Sequence, residues 1–382
     1  MRRDETNVVD EVASKETLGS RRRAIGAMAT AVSAAVMGAT MPPANAEAQA
    51  AATFRLPMPG PVQAPQAELV SVLQYEDQAR LALGPAKIAP LLGSDRTITD
   101  RITLRPRINI STLDMDLTCP LFGDAHFAPI IVGPMAAQKR FHPEGEVATA
   151  RGASAAKAGL IVSSESSVAL AAIAQAATTP LWLQVYAASP KVKDRLAEAA
   201  EAKARAVVVT VNAGASATAP AAPAAAIDWA AIDAVVKSTS LPVVVKGITR
   251  PQDAKEAVAH GAKGVVVSNY HGGGNAAQPG TLLLVAPVVE AVNGKVPVLV
   301  DGSFRFGSDI LKALGFGAKA VLIGRPAMWG LAAYGAEGVR GVVEMLQTDL
   351  ARFMGMVGRP TLASIDSTVV RVHRPLSKGI AP

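Results

Sequence analysis

The chain has 382 residues, half of them apolar and 18% charged, which fills a sizeable core and excludes a disordered polymer. Its single cysteine, Cys119, excludes an internal disulfide and any cysteine-built zinc or iron–sulfur site. The net charge of +7 is spread without a Lys/Arg block and aromatics are only 4%, so no nucleic-acid partner is expected.

Residues 1–46 read as an address rather than as part of the fold. Ser20-Arg21-Arg22-Arg23 precedes an uncharged, mildly apolar run from Ala24 to Met41, and Ala44-Asn45-Ala46 offers a small-residue cleavage site. The pattern resembles a twin-arginine export signal, a route for proteins that fold around a cofactor before export, and implies a periplasmic or other extracytoplasmic location. Its content of Gly, Ala and Thr disfavours a transmembrane anchor. Residues 47–66 are Ala/Pro-rich and are expected to form a flexible lead-in, leaving 67–382 as the folded domain.

From Pro129 onward a short β-branched run alternates with an Ala-rich helical stretch. The runs are Pro129–Val132, Gly159–Val162, Leu181–Val185, Ala206–Val211, Pro242–Val245, Gly264–Val267, Val296–Val300 and Ala320–Ile323. They are almost wholly apolar, as parallel strands buried on both faces must be. Pro251–His260 and Ser308–Leu314 are helical stretches between them, the second opened by Ser308 and Asp309, good N-terminal helix residues. Eight such units predict an α/β fold, a (β/α)8 TIM barrel with an N-terminal helical extension.

In such a barrel chemistry gathers where the strands end. Just past the runs stand Met135 and Ala136, Ser163 and Ser164, Gln184 and Tyr186, Thr210 and Asn212, Lys246, Ser268-Asn269-Tyr270-His271, Asp301 with Arg305, and Gly324-Arg325. So many polar residues in an apolar chain point to a large polar ligand. A lysine ending an apolar strand, as Lys246 does, needs an anion or a developing negative charge. The glycine-bearing ends of the last two strands, with Arg305 and Arg325, fit a phosphate. His271, on a glycine-rich loop, is the candidate base. No carboxylate pair or metal-ligand spacing is present, so no metal site is expected.

Several strings, in order, resemble the FMN-dependent 2-hydroxy acid oxidase/dehydrogenase family, which includes glycolate oxidase, lactate oxidase and mandelate dehydrogenase. They are Leu104-Arg105-Pro106-Arg107, Gln138 to Ala150, Leu183-Gln184-Val185-Tyr186, Val245-Lys246-Gly247, Val267-Ser268-Asn269, Asp301 to Leu314, and Ile323-Gly324-Arg325-Pro326. The resemblance implies FMN at the barrel mouth. The backbone of Met135 and Ala136 would line the flavin, and Ser164 (or Ser163, one residue earlier), Gln184 and Thr210 would hydrogen-bond its polar edge. Lys246 would sit where charge develops on reduction. Asp301 would hold the ribityl chain and Arg305, Gly324 and Arg325 the phosphate. Ser268 and Ser303, in the same motifs, belong with the cofactor site. Tyr186 would touch substrate, His271 would be the base, and the reaction would oxidise a 2-hydroxy acid to a 2-oxo acid. The electron acceptor, whether oxygen, a quinone or a cytochrome, stays open; family members are often homotetramers.

The chain also departs from the family. The family's Ser-Asn-His-Gly-Gly-Arg is Ser268-Asn269-Tyr270-His271-Gly272-Gly273-Gly274, so either His271 or Tyr270 fills the histidine position and the substrate-carboxylate arginine is absent. Asn212 replaces an aspartate that orients the histidine. The loop Ala213 to Ala226, which in the family carries a second substrate arginine, is uncharged. The alternative reading is a flavin-binding homologue that has lost hydroxy acid oxidation.

Overall fold

Side-chain alternation along eight short strands decides the architecture, seen in a computed structural model that describes residues 62–93, 96–107, 114–211, 227–270 and 280–373. Ahead of the barrel come helix α1 (Val72–Ile88), the single turn α2 (Thr97–Asp100), strand β1 (Ile102–Leu104) and the hairpin of β2 (Cys119–Leu121) and β3 (Asp124–His126). The barrel strands are β4 (Ile130–Val132), β5 (Gly159–Ser163), β6 (Leu181–Tyr186), β7 (Val207–Thr210), β8 (Val243–Ile248), β9 (Gly264–Val267), β10 (Val298–Asp301) and β11 (Ala320–Ile323). Each pairs in parallel with the next, and β11 pairs in parallel with β4, which closes the barrel. Around it lie α3 (Glu146–Ala155), α4 (Leu170–Ala176), α5 (Val192–Glu201), α6 (Trp229–Lys237), α7 (Pro251–Ala259), α8 (Leu282–Val292), α9 (Gly307–Gly315) and α10 (Arg325–Met356), and β12 (Val370–Val372) returns to pair with β1.

All eight expected strands form. The largest difference is in β8, which continues past Val245 through Lys246, Gly247 and Ile248, with a register shift against β9 between Lys246 and Ile248. A bulge at a barrel rim re-aims the side chain beside it, here Lys246.

The core has two layers, and this is why the strands read as unbroken apolar runs. Ile131, Ile161, Trp182, Val208, Val244, Val266, Leu299 and Leu322 fill the barrel interior. Their sequence neighbours, such as Ile130, Leu160, Val207 and Val243, face outward and pack with the helices. Cys119 and Leu121 of the β2–β3 hairpin join the interior cluster and close the amino-terminal floor.

His126 belongs to that floor, facing Cys119 across the hairpin and meeting Trp182 edge-on at 6.0 Å between ring centroids. Neither ring nitrogen has a hydrogen-bond partner among the described residues, and burial pushes its pKa below the ordinary 6.5. The unfolded chain therefore takes up a proton as pH falls below about 6.5, before the folded chain does. Stability is lost over that range as pH falls towards the folded value. His126→Phe is expected to flatten the dependence of the urea midpoint between pH 7 and pH 5; an unchanged slope overturns this account.

The expected N-terminal extension is α1, capped by Ser71, which accepts from Leu73 N, and packed on α10 through Tyr75 and Tyr334, edge-on at 5.9 Å. One boundary moves. Ala64 N donates to Gln78 Oε1, its carbonyl accepts from Tyr334 Oη at 2.6 Å, and Gln66 Nε2 donates to Glu337 O, so these residues of the expected lead-in are part of the folded unit. Residues 1–61, including the expected export signal, lie outside the described residues.

Candidate active site

The carboxyl ends of the strands gather two hydrogen-bonded chains of buried polar side chains. In the first, Ser163 Oγ donates to Gln184 Oε1 at 3.2 Å and Gln184 Nε2 donates to Thr210 Oγ1 at 3.0 Å, spanning β5, β6 and β7. In the second, Lys246 Nζ lies 2.8 Å from Asp301 Oδ2 and 3.0 Å from Ser268 Oγ, and Ser268 Oγ donates to the same Asp301 oxygen at 3.0 Å. Ser163, Gln184, Thr210, Lys246 and Ser268 are each at most 4% exposed. Buried polar side chains in a closed apolar barrel are retained for a ligand or for chemistry.

Of the two serines at this point, Ser163 ends β5 and is the one whose side chain joins Gln184. Ser164 donates only its backbone N–H in this network, to Gln184 O at 2.8 Å, and lines an outer hollow with Ser189 and Lys191. Met135 and Ala136 follow β4, half-buried, in a loop held by Gln138, whose Nε2 donates to Met135 O. That loop is anchored by the buried Glu146, which accepts from Gln138 N, Ser167 N and Ser167 Oγ at 2.6 to 3.0 Å. Tyr186, at the end of β6, is 4% exposed, and burial raises its pKa, keeping the phenol protonated. Tyr270 is exposed at the mouth, its ring centroid 5.4 Å from Lys246 Nζ. His271 and Asn212 lie outside the described residues, as do Gly272, Gly273 and Gly274 and the loop 213–226.

The ends of β10 and β11 form an electropositive corner. Arg305 is 3% exposed and stacks on Trp329 at 4.5 Å. Burial and the neighbouring Arg325 push its pKa down to about 9; burial also lowers that of Arg325. The Asp309 charge bears on Arg305 less than burial and Arg325 do. Asp309 Oδ2 accepts from Arg305 N, Phe306 N and Arg96 Nη1, and its Oδ1 from Arg96 Nη2, all at 2.9 to 3.0 Å. Arg96 also donates to Ser303 O at 2.9 Å, so the N-terminal extension clamps the 303–309 turn. The same extension covers the corner through Leu91 O, which accepts from Trp329 Nε1, and Leu92 O, which accepts from Arg325 Nη1. Gly302 has φ +108° and no room for a Cβ, which would lie 2.8 Å from Thr281 Oγ1, and Ser303 follows at φ +59°. This left-handed pair turns the chain away from Asp301.

Such a corner suits FMN. A buried and a half-buried guanidinium that repel each other, beside a glycine-bearing strand end, match a phosphate, and the two polar chains match the edge of a flavin ring. Arg305, Arg325 and Gly324 would hold the phosphate, Asp301 the ribityl chain, and Ser163, Gln184, Thr210 and Lys246 the ring.

Barrel, polar ring and anion corner together define a phosphate-anchored cofactor enzyme. The chain belongs to the FMN-dependent dehydrogenase family, whose profile matches residues 89–221 and 213–372. It is 31% identical to peroxisomal (S)-2-hydroxyacid oxidase GLO4 of Arabidopsis thaliana, over 82% of this chain and 99% of that protein. It is 37% identical to 4-hydroxymandelate oxidase of Amycolatopsis orientalis, over 73% and 88%. Among solved structures, an arginine-to-leucine variant of mandelate oxidase with 2-hydroxy-phenylacetamide superposes with a TM-score of 0.72 at 34% identity, covering 79% of this chain and 98% of that one.

Sequence reasoning missed the supports of the site. Arg96 gives no local signal, because its partner Asp309 lies 213 residues away. Glu146 sits in a quoted family string, where a carboxylate among apolar residues was the available sign. The Lys246–Asp301 pairing joins residues that were read separately.

Proposed function

We propose that the chain oxidises a 2-hydroxy acid to the 2-oxo acid with FMN as the electron acceptor within the site. The observation that carries this is the buried polar ring centred on Lys246 beside the guanidinium corner, in a member of the FMN-dependent dehydrogenase family. The substrate's C2–H and O–H bonds break and its C–O single bond becomes a carbonyl, releasing two electrons and two protons. FMN supplies the two-electron acceptor. Tyr186, kept protonated by burial, donates a hydrogen bond to the substrate oxygen. His271 or Tyr270, whichever fills the histidine position, would take a proton, with Asn212 standing where the family has an aspartate. Lys246 would stand at the edge of the bound ring, where a preorganised cation is most effective. The acceptor that would finally take up the two electrons is oxygen, a quinone or a separate cytochrome. The Arg-rich N-terminus supports export by the twin-arginine route; recovery of the chain in the cytoplasm alone, with the signal intact, would overturn that part.

The test is an anaerobic visible spectrum of the purified chain from Glu47, titrated with short and aromatic 2-hydroxy acids. Bleaching of the flavin band by one of them is the expected result. A stable flavin band that no acid bleaches replaces this reading with that of a flavin-binding homologue without the activity. A colourless protein that FMN cannot reconstitute overturns both.

A further inference from the structure

The loop after β4 is gripped at Gln138, a buried residue whose side-chain amide is used at both ends. Its Nε2 donates to Met135 O at 3.2 Å, and its Oε1 accepts from Thr149 Oγ1 at 2.5 Å. The two ends cannot be exchanged, because a backbone carbonyl only accepts and so must face the amide nitrogen. The Gln138 backbone N–H is held as well, by Glu146 Oε1 at 3.0 Å. Glu146 and Thr149 are buried and stand one turn apart on α3. This helix therefore fixes Gln138 by main chain and side chain together, and leaves its amide one direction, towards Met135 O.

That direction has a consequence one atom further on. A trans peptide is planar, and its C=O and N–H point opposite ways. Holding Met135 O against Gln138 turns the Ala136 N–H away from the buried network, and among the described residues it meets no acceptor. Ala137, which follows, is left-handed at φ +51° and ψ +50°. A residue with a Cβ disfavours that conformation, so the contacts around the turn impose it. The loop also borders the phosphate corner. Gly133 N donates to Ile323 O at 2.8 Å, and a Cβ on Gly324 would lie 3.2 Å from Met135 Sδ.

We propose that Gln138 is a positioning residue that sets the reduction potential of the flavin: by holding Met135 O it aims the Ala136 N–H at the ring. A donor held there favours the electron-rich reduced ring over the oxidised one. The inference rests on FMN occupying this site. It does not depend on which substrate reduces the flavin.

The test is the two-electron potential of the FMN-loaded chain, from anaerobic dithionite titration against a reference dye, with urea midpoints measured alongside. Gln138→Met keeps the side-chain length and the backbone bond to Glu146 and removes the amide. Its site is expected to lose about tenfold of its preference for reduced over oxidised FMN, a potential about 30 mV lower. Thr149→Val removes the hydroxyl that orients the amide and should shift the potential the same way by less. Val339→Ala opens space in the contact between α10 and Gly152 of α3; it should lower the urea midpoint and leave the potential alone. A parent-like potential in Gln138→Met overturns the proposal and leaves FMN binding standing. So does an equal fall in Val339→Ala, which would assign the effect to general loosening. If Gln138→Met does not fold, Thr149→Val decides, and an unchanged potential there overturns the proposal. A parent chain that cannot be loaded with FMN overturns the cofactor reading and this inference with it.

Discussion

Lys246→Met is expected to lower the rate of flavin reduction by roughly two to three orders of magnitude, the loss typical when one preorganised donor is removed from where charge develops. The substitution keeps the length of the side chain and removes the charge. Its structural cost is separable. Lys246 and Asp301 form an ion pair at 2.8 Å with side-chain exposures of 5% and 19%, and Ser268 donates to the same carboxylate oxygen. Removing one member of a largely buried pair leaves the other uncompensated, at a cost of about 3 kcal/mol. The double variant Lys246→Met/Asp301→Asn removes both charges and is expected to regain most of that stability, while flavin reduction stays slow. Urea midpoints and single-turnover bleaching of the two variants check this. If the double variant regains both stability and rate, Lys246 has no electrostatic part in the reaction and serves only to balance Asp301.

The separation of those two effects was not legible in the sequence, although much around it was. Buried parallel strands must be apolar on both faces, so each of the eight barrel strands announced itself locally, and β9 and β11 match their expected bounds at both ends. Polar residues at strand ends stood out against that background for the same reason. What stayed hidden depends on contacts between distant segments. The bulge that extends β8 beyond Val245 is a matter of register with β9. The choice between Ser163 and Ser164 turns on which of two adjacent residues ends a strand, and a shift of one reverses the face. The docking of Ala64 and Gln66 relies on carbonyl and hydroxyl partners in α10, some 270 residues on, and composition alone reads that stretch as a linker. The clamp of Arg96 on Asp309 and Ser303 has the same origin, and it gives the N-terminal extension a purpose beyond covering apolar surface: it fixes the turn that presents Arg305.

Arg305→Met is expected to change the cofactor-free and FMN-loaded protein in opposite directions. Without a ligand, Arg305 is buried next to Arg325 and near Arg96, and its pKa is pushed down to about 9. A folded value below the unfolded one means that the unfolded chain holds its proton more tightly. The charged guanidinium is thus a net cost to the cofactor-free fold at neutral pH, a cost relieved only as pH rises through about 9. Methionine removes it, so the cofactor-free variant should melt at a higher temperature than the parent at pH 7. FMN binding should behave in the reverse manner. A charge-assisted contact to phosphate contributes about 1.5–3 kcal/mol, so the variant should bind FMN roughly ten to a hundredfold more weakly, and riboflavin, which lacks the phosphate, as well as the parent does. Inorganic phosphate should raise the melting temperature of the cofactor-free parent and raise that of the variant less, because a ligand stabilises the folded state in proportion to its affinity for it. Since phosphate favours the protonated guanidinium, FMN affinity of the parent should decline as pH is raised through about 9, with riboflavin affinity flat over the same interval. Equal losses of FMN and riboflavin affinity in Arg305→Met would place the defect in the fold of the 303–309 turn, and the phosphate assignment of Arg305 would then be withdrawn.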